Sequence, residues 1–291
     1  MVEVELIVDC KNILGEGPAW HPQQRRLFWV DIERSELWQF DPTTGKTKTW
    51  KTPERVGSLA FRQSGGLIVA FESGFAFYEP DSGEVTRIRD IEADLPATRL
   101  NDGRCDRQGR FIVGGMDESG NREAISGVYR LDPDLSVHKL ISGVACANST
   151  CFSPDGRTMY FADTPVAKIW AFDYDPETGE VSNKKVFCDF SDQPGRPDGS
   201  TVDAEGCLWN AQWNGHRLVR YAPDGSIDRV IELPVTNPTC PVFFGEDLEL
   251  LGVTTARYHM TPEQIAAEPI SGGLLALRPG VKGLAESQFA G

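Results

Sequence analysis

Two carboxylates and two carboxamides stand at one recurring place in this chain. Asp198 precedes Gly206 by eight residues, Asn101 precedes Gly109 by eight, and Asn148 precedes Gly156 by eight. In the first repeat the turn HPQQRR lacks glycine, and the same offset from Gln24 leads to Glu16. Each of these turns joins two short extended runs. Taken alone, Asp198 in RPDGSTV reads as an Asx-type residue bonded to its own backbone. Repetition changes that reading. If equivalent strands surround one axis, the four side chains converge, and two carboxylates brought together repel unless a positive charge lies between them. A divalent cation meets that need, because all-oxygen donors suit a hard ion and leave positions for water or substrate. The expectation is therefore one divalent cation (Ca²⁺, Zn²⁺, Mn²⁺ or Mg²⁺) on Glu16, Asn101, Asn148 and Asp198.

Such side chains need a scaffold that repeats. No long segment carries a helical period. Short β-rich runs recur instead between clusters of Gly, Pro, Asn and Asp: RRLFWVDI, GLIVAF, RFIVGG, TMYFAD, CLWNAQ and LELLGVTT. Most are followed by a second run, such as ELWQFD, FAFYEP, GVYRLD or KIWAFDYD, and then by an acidic turn, such as DPTTGK, EPDSGE or DPETGE. These turns look like calcium loops, but their recurrence marks them as hairpin connections. Units aligned on the first hairpin turn begin near residues 16, 57, 101, 148, 198 and 239. That period, about 40–50 residues, is the one expected of a propeller blade. The chain is predicted to be all-β and a single domain over residues 1–291: a six-bladed β-propeller with four-stranded antiparallel blades around a central channel. VEVELIVD and GGLLALR, near the two ends, are left without partners and are expected to pair in one blade and close the ring.

Composition excludes some partners. The formal net charge is −14, without an acidic tail, which disfavours nucleic acid and anionic membrane surfaces, since both reward clustered Lys and Arg. No window approaches a membrane span, and the start MVEVELIVDC has no basic region before an apolar stretch. Seven cysteines without a CxxC pair read as small apolar residues of a reduced, cytoplasmic protein. A monomer or weak oligomer is expected.

The remaining polar residues carry less pattern. His21, His138, His216 and His259 show no metal-ligand spacing, and no GxSxG elbow or phosphate loop is present. Arg99, two residues before Asn101, would point to the same side of a strand and reach the channel mouth. The polar stretch MDESGNREAIS at 116–126 is placed to act as a lid.

At these residues the chain resembles the SMP-30/gluconolactonase/regucalcin family. The likeness lies in LGEGPAW around Glu16, RLNDGRCD around Asn101, CANS around Asn148 and PDGSTVDAEGCLWNAQWNG around Asp198. It continues through FDYDPETGEVSNKKVF and TTAR to VKGLAESQFAG. The resemblance implies a six-bladed propeller that binds one divalent cation and hydrolyses sugar lactones. It implies ligands at Glu16, Asn148 and Asp198, Asn101 near metal and substrate, and Arg99 on the substrate. Two departures stand out. Ser-Thr follows Asn148 where many relatives carry Gly-Leu. A substrate-contacting glutamate of vertebrate members aligns with Ser119, leaving Glu118 or Asp117 to substitute. The expectation is a metal-dependent lactonase acting on aldonolactones such as glucono-, galactono- or xylonolactone, with Asp198 as general base and Arg99, Asn101 and Glu118 on the substrate. Arg196 and Arg257, with Arg99, would favour a lactone bearing a second carboxylate, of the aldaric or uronic acid type. A calcium-binding regulatory protein and a partner-binding scaffold are the other readings.

Overall fold

The computed structural model describes residues 2–291. It contains six four-stranded antiparallel sheets, each ordered from an inner strand outward. The inner strands are Gly15–His21, Val56–Phe61, Thr98–Cys105, Ala147–Phe152, Arg196–Val202 and Pro238–Phe244. They open the six units at the positions anticipated from the repeat, and each packs against its neighbours around the axis. Ring closure is also as expected: Val4–Val8 pairs with Leu274–Leu277 as the outermost strand of the sixth blade. The described helices are one 3-10 turn, Thr164–Val166, and one short α-helix, Pro262–Ala267.

The core is divided among the six gaps between blades. Each gap holds one apolar cluster drawn from both flanking sheets. A sheet covered on both faces has no solvent side, so its central strands read as unbroken apolar runs rather than alternating ones. Leu67–Phe71 is buried at every position. The outermost strand of the first blade, Lys46–Lys51, is almost wholly exposed and carries three lysines, which discourages edge-to-edge pairing. The acidic turns are hairpin connections, as their recurrence suggested. Asp41 accepts the N–H groups of Thr43 and Thr44, and Asp175 those of Glu177 and Thr178.

Inner strands are fixed at their far ends by buried aspartates. Asp203 is wholly buried. It accepts the N–H groups of Glu205 (3.0 Å) and Cys207 (3.0 Å), Trp209 Nε1 (2.9 Å) and Arg220 Nε (2.8 Å). Asp106 holds the third blade similarly through Gln108, Arg110 and the Tyr174 hydroxyl. Asp203→Asn should destabilise the fold. Arg220 keeps Glu205 and Asp228 as partners, so the loss should be about 2–3 kcal/mol rather than the larger cost of a stranded buried charge. Chemical denaturation reads this as a lowered midpoint at unchanged slope. A midpoint equal to wild type would deny Asp203 that role.

Candidate active site

Every inner strand carries an extra residue. In each blade two residues of the inner strand, or one unpaired residue in the second blade, slip past the neighbouring strand before pairing resumes. A bulge of this kind bends the strand and re-aims its side chains. Asn101 and Asp198 lie within the bulge. Glu16 and Asn148 are the last paired residues before it, opposite Val30 and Ala162. The shared eight-residue offset is thus not one structural position but two adjacent ones. Backbone conformation accounts for the difference. In the first and fourth blades the first bulged residue is left-handed, Gly17 at φ 55° and Ser149 at φ 58°. Asn101 and Asp198 do not take that conformation. Both routes deliver a side chain to the same pocket.

That pocket lies at one mouth of the channel. Its lining includes Glu16, Arg99, Asn101, Glu118, Asn148 and Asp198, six of the residues singled out in the sequence. The second blade contributes no side chain at the corresponding point, because a Cβ on Gly57 would lie 2.6 Å from the carbonyl oxygens of Leu100 and Asn101. In the sixth blade Thr239 spends its hydroxyl on the Gly15 carbonyl and on Thr254.

Within the pocket the oxygens divide into two groups. Among the described residues Glu16 accepts only the N–H of Gly17, at 3.1 Å. No donor side chain of the described residues meets the Asp198 carboxylate, whose backbone carbonyl is instead held by Ser149 Oγ (2.5 Å) and Asn210 Nδ2 (3.1 Å). Asn148 donates from Nδ2 to Thr164 Oγ1 (2.8 Å), which in turn donates to the Pro197 carbonyl (2.8 Å), and the Asn148 carbonyl oxygen has no donor among the described residues. The second group is interlocked. Arg99 is 5% exposed and donates from Nη1 to Asn101 Oδ1 (2.7 Å) and from Nε to Glu118 (3.0 Å), while Asn101 Nδ2 donates to the Ala147 carbonyl (2.8 Å). The Asn101 oxygen, expected among the metal's donors, is therefore engaged by a cation.

Electrostatics separates the same groups. Burial pushes Glu16 up to about 8, with the Asp102 carboxylate adding to the effect. Burial, then Glu16 and Asp102, raises Asp198 well above the usual carboxylate range. Neither acid has an ion-pair partner among the described residues, so both ionise together only with positive charge between them. Burial also opposes ionisation of Glu118, but Arg55 and Arg99 outweigh it and hold that carboxyl below its ordinary value. Burial raises Cys146, on the pocket wall, to about 12, which leaves it a thiol rather than a nucleophile.

The donor set fits a hard divalent ion. Glu16, Asp198 and the carbonyl oxygen of Asn148 offer two charges and three oxygens that the protein itself leaves unpaired. No group of three His, Cys, Asp or Glu side chains poised for a metal ion occurs among the described residues; the cluster reaches three donors only through the amide.

Several lining residues escaped the sequence. Arg122, Thr164, Trp213, Tyr258 and His259 border the pocket, and no spacing in the sequence marks them for it. His259 reaches it without any spacing signal. Arg196 and Arg257 do not line it: Arg196 turns to the Gly195 carbonyl, and Arg257 donates to the carbonyls of Ser271 and Pro269. Asp117 shapes the loop after it by accepting the N–H groups of Ser119 (2.9 Å) and Glu123 (2.7 Å).

A ring of six blades with a cluster of unpaired oxygens at one channel mouth defines a class of propeller with a polar, acidic centre. Residues 14–257 match the family model described as the SMP-30/Gluconolactonase/LRE-like region, and the chain belongs to that family. It is 41% identical to an L-arabinolactonase of Azospirillum brasilense over 99% of this chain and 96% of that protein. It is 34% identical to a 6-deoxy-6-sulfogluconolactonase of Pseudomonas putida over 99% of both. Its backbone superposes with a TM-score of 0.93 on the crystal structure of a calcium-binding regucalcin of Agrobacterium tumefaciens, at 32% identity and 99% and 97% coverage.

The raised acids make the metal-free protein sensitive to pH in a definite direction. A carboxyl whose folded pKa lies above its unfolded value binds its proton more tightly when folded, so its contribution to stability is complete below the unfolded value and is lost as pH rises. For Glu16 the window runs from 4.5 to about 8. In chelator, the thermal midpoint of the wild type should fall relative to that of Glu16→Gln as pH is raised from about 5 to about 8. Parallel curves for the two proteins would show that Glu16 is not strained by burial.

Proposed function

We propose that this chain is a divalent-metal-dependent hydrolase of sugar lactones, opening an aldonolactone to the free sugar acid. The observation that carries the reading is the pair of unneutralised acids, Glu16 and Asp198, set beside the free carbonyl oxygen of Asn148 at an open, polar pocket. The lactonase names of the relatives at 41% and 34% identity support the reaction class.

Glu16, Asn148 and Asp198 would hold the ion, which when bound supplies Lewis acidity toward the lactone carbonyl. Arg99 is kept in one orientation by Glu118 and Asn101, and its Nη2 group has no partner among the described residues. It is therefore arranged to bind ring or chain hydroxyls and to hold the carbonyl carbon in place. Asn101, with its oxygen turned to Arg99, belongs on this substrate side. Glu118 acts as the positioning residue for Arg99 rather than as a free carboxylate. Asp198 accepts a proton from the attacking water. As the ring C–O bond breaks, the departing oxygen takes up the proton and the sugar acid is released. The Ser149 and Asn210 bonds to the Asp198 backbone keep that carboxylate from drifting between its two tasks.

Titration of released acid from glucono-, galactono- and xylonolactone tests the proposal. Chelation should abolish hydrolysis while leaving the β-sheet circular dichroism intact, because the apolar clusters between blades do not involve the ion. Mn²⁺, Ca²⁺, Mg²⁺ or Zn²⁺ should restore it to different degrees. Asp198→Asn keeps an oxygen in place but has almost no basicity. At saturating metal, with loading checked by elemental analysis, it should lose at least roughly 100-fold in turnover. Full activity in metal-free protein would sink the metal role, and near-normal turnover of Asp198→Asn would leave Asp198 a ligand only.

A further inference from the structure

We propose that Arg122 makes this site select lactones carrying an anionic group, a carboxylate, sulfonate or phosphate, at the end of the sugar remote from the carbonyl; this rests on the lactonase reading above. The argument is one of charge and free donors. The other charged groups on the pocket wall are answered within the protein or by the proposed ion. Glu118 is shared by Arg99 and by a bidentate contact from Arg55 at 2.9 and 2.6 Å. Glu16 and Asp198 face the place a divalent cation would take. Arg122 lines the same pocket, is half-buried, and has no carboxylate within ion-pair distance among the described residues. Asp117, whose carboxyl feels its charge, is saturated by N–H and hydroxyl donors of its own loop.

The donors of Arg122 are also unevenly spent. Nη1 binds the Asp117 carbonyl at 2.6 Å and lies 3.9 Å from Met116 Sδ. Nε and Nη2 have no partner among the described residues, and that edge of a guanidinium takes an oxyanion through two parallel bonds. The backbone at Arg122 is left-handed, at φ 51°. A non-glycine residue adopts that conformation at a cost, and the turn that Asp117 builds imposes it. The loop thus holds a charged fork at the rim, on the side of the pocket wall formed by Met116 and Cys146. A hydroxyl there would use one donor; an oxyanion would use both and cancel the unanswered charge.

The five-membered-ring lactones of gluconate and glucarate differ only in a terminal hydroxymethyl group against a carboxylate. With divalent cation present, the wild type should show the higher kcat/KM on the glucarate lactone. In Arg122→Ala the glucarate-to-gluconate ratio of efficiencies should fall by roughly 10- to 100-fold, and Arg122→Lys should retain part of the preference as a point charge without the fork. Arg196→Ala removes the same charge outside the pocket and should leave the ratio in place. A wild type without preference for the glucarate lactone, or an unchanged ratio in Arg122→Ala, overturns the proposal. If no lactone is hydrolysed with any cation, the lactonase reading fails by itself. Calorimetry with glucarate and gluconate then decides the role of Arg122: tighter glucarate binding that Arg122→Ala abolishes upholds it, and equal binding of the two acids removes it.

Discussion

The structure turns on a repulsion that the polypeptide does not resolve. Glu16 from the first blade and Asp198 from the fifth enter one pocket, the Asp102 carboxylate adds to the repulsion, and no basic side chain of the described residues pairs with either acid. Elsewhere in the molecule buried acids are answered carefully. Asp203 meets Arg220 and Trp209, and Asp106 meets Arg110 and Tyr174. The contrast is the informative feature, because buried charge is ordinarily paired. A fold that satisfies its structural aspartates so fully and leaves these two facing each other is what supports the proposal of a cation between them.

Holding two repelling groups in register requires a stiff frame, and the propeller supplies it cheaply. Each blade is clamped by apolar clusters on both faces, so the innermost strands cannot relax apart without opening a gap between sheets. The bulges then aim individual side chains. Gly17 takes the left-handed bulge position without strain. Ser149 takes the equivalent position at some cost, but its hydroxyl reaches the Asp198 carbonyl. Ser149, after Asn148, thereby ties the fourth blade to the fifth at the residue proposed as base.

Legibility followed the physics. The repeat, the blade count and the ring closure were readable because each blade restates the same apolar runs and turn chemistry, and six restatements average out local noise. Glu16, Asn101, Asn148 and Asp198 were readable through their distance from a turn. That distance hid the bulge: an extra residue changes which face a side chain takes, and two different backbone conformations gave the same count. The lining from Arg122, Thr164, Trp213, Tyr258 and His259 was not readable. Trp213 ends a strand, and the other four sit in connections between strands, where no period constrains the chain and only tertiary packing decides what faces the pocket. Arg196, the first residue of its inner strand, and Arg257, in a connection, serve backbone carbonyls instead.

This division has a consequence for how such a site changes its substrate. The oxygens proposed for the ion lie on inner strands locked between neighbouring blades. The side chains that would meet the far end of a sugar lie on the loop after Met116 and on the segment around Tyr258. Residues on the strands cannot be moved without disturbing the apolar clusters behind them, whereas the loops can alter charge and shape at little structural cost. Relatives within the family bear names for different lactones, an arabinolactonase and a sulfogluconolactonase among them. Shared chemistry with divergent recognition is the outcome expected when the two are carried by separate parts of the chain. Here the link between them is the run Arg55–Glu118–Arg99–Asn101. It begins on the second blade, crosses the loop through one carboxylate, and ends beside the unpaired acids. A substitution in the loop that displaces Glu118 would therefore reach Arg99, proposed to hold the substrate, whereas one at the loop's outer residues would leave that run in place.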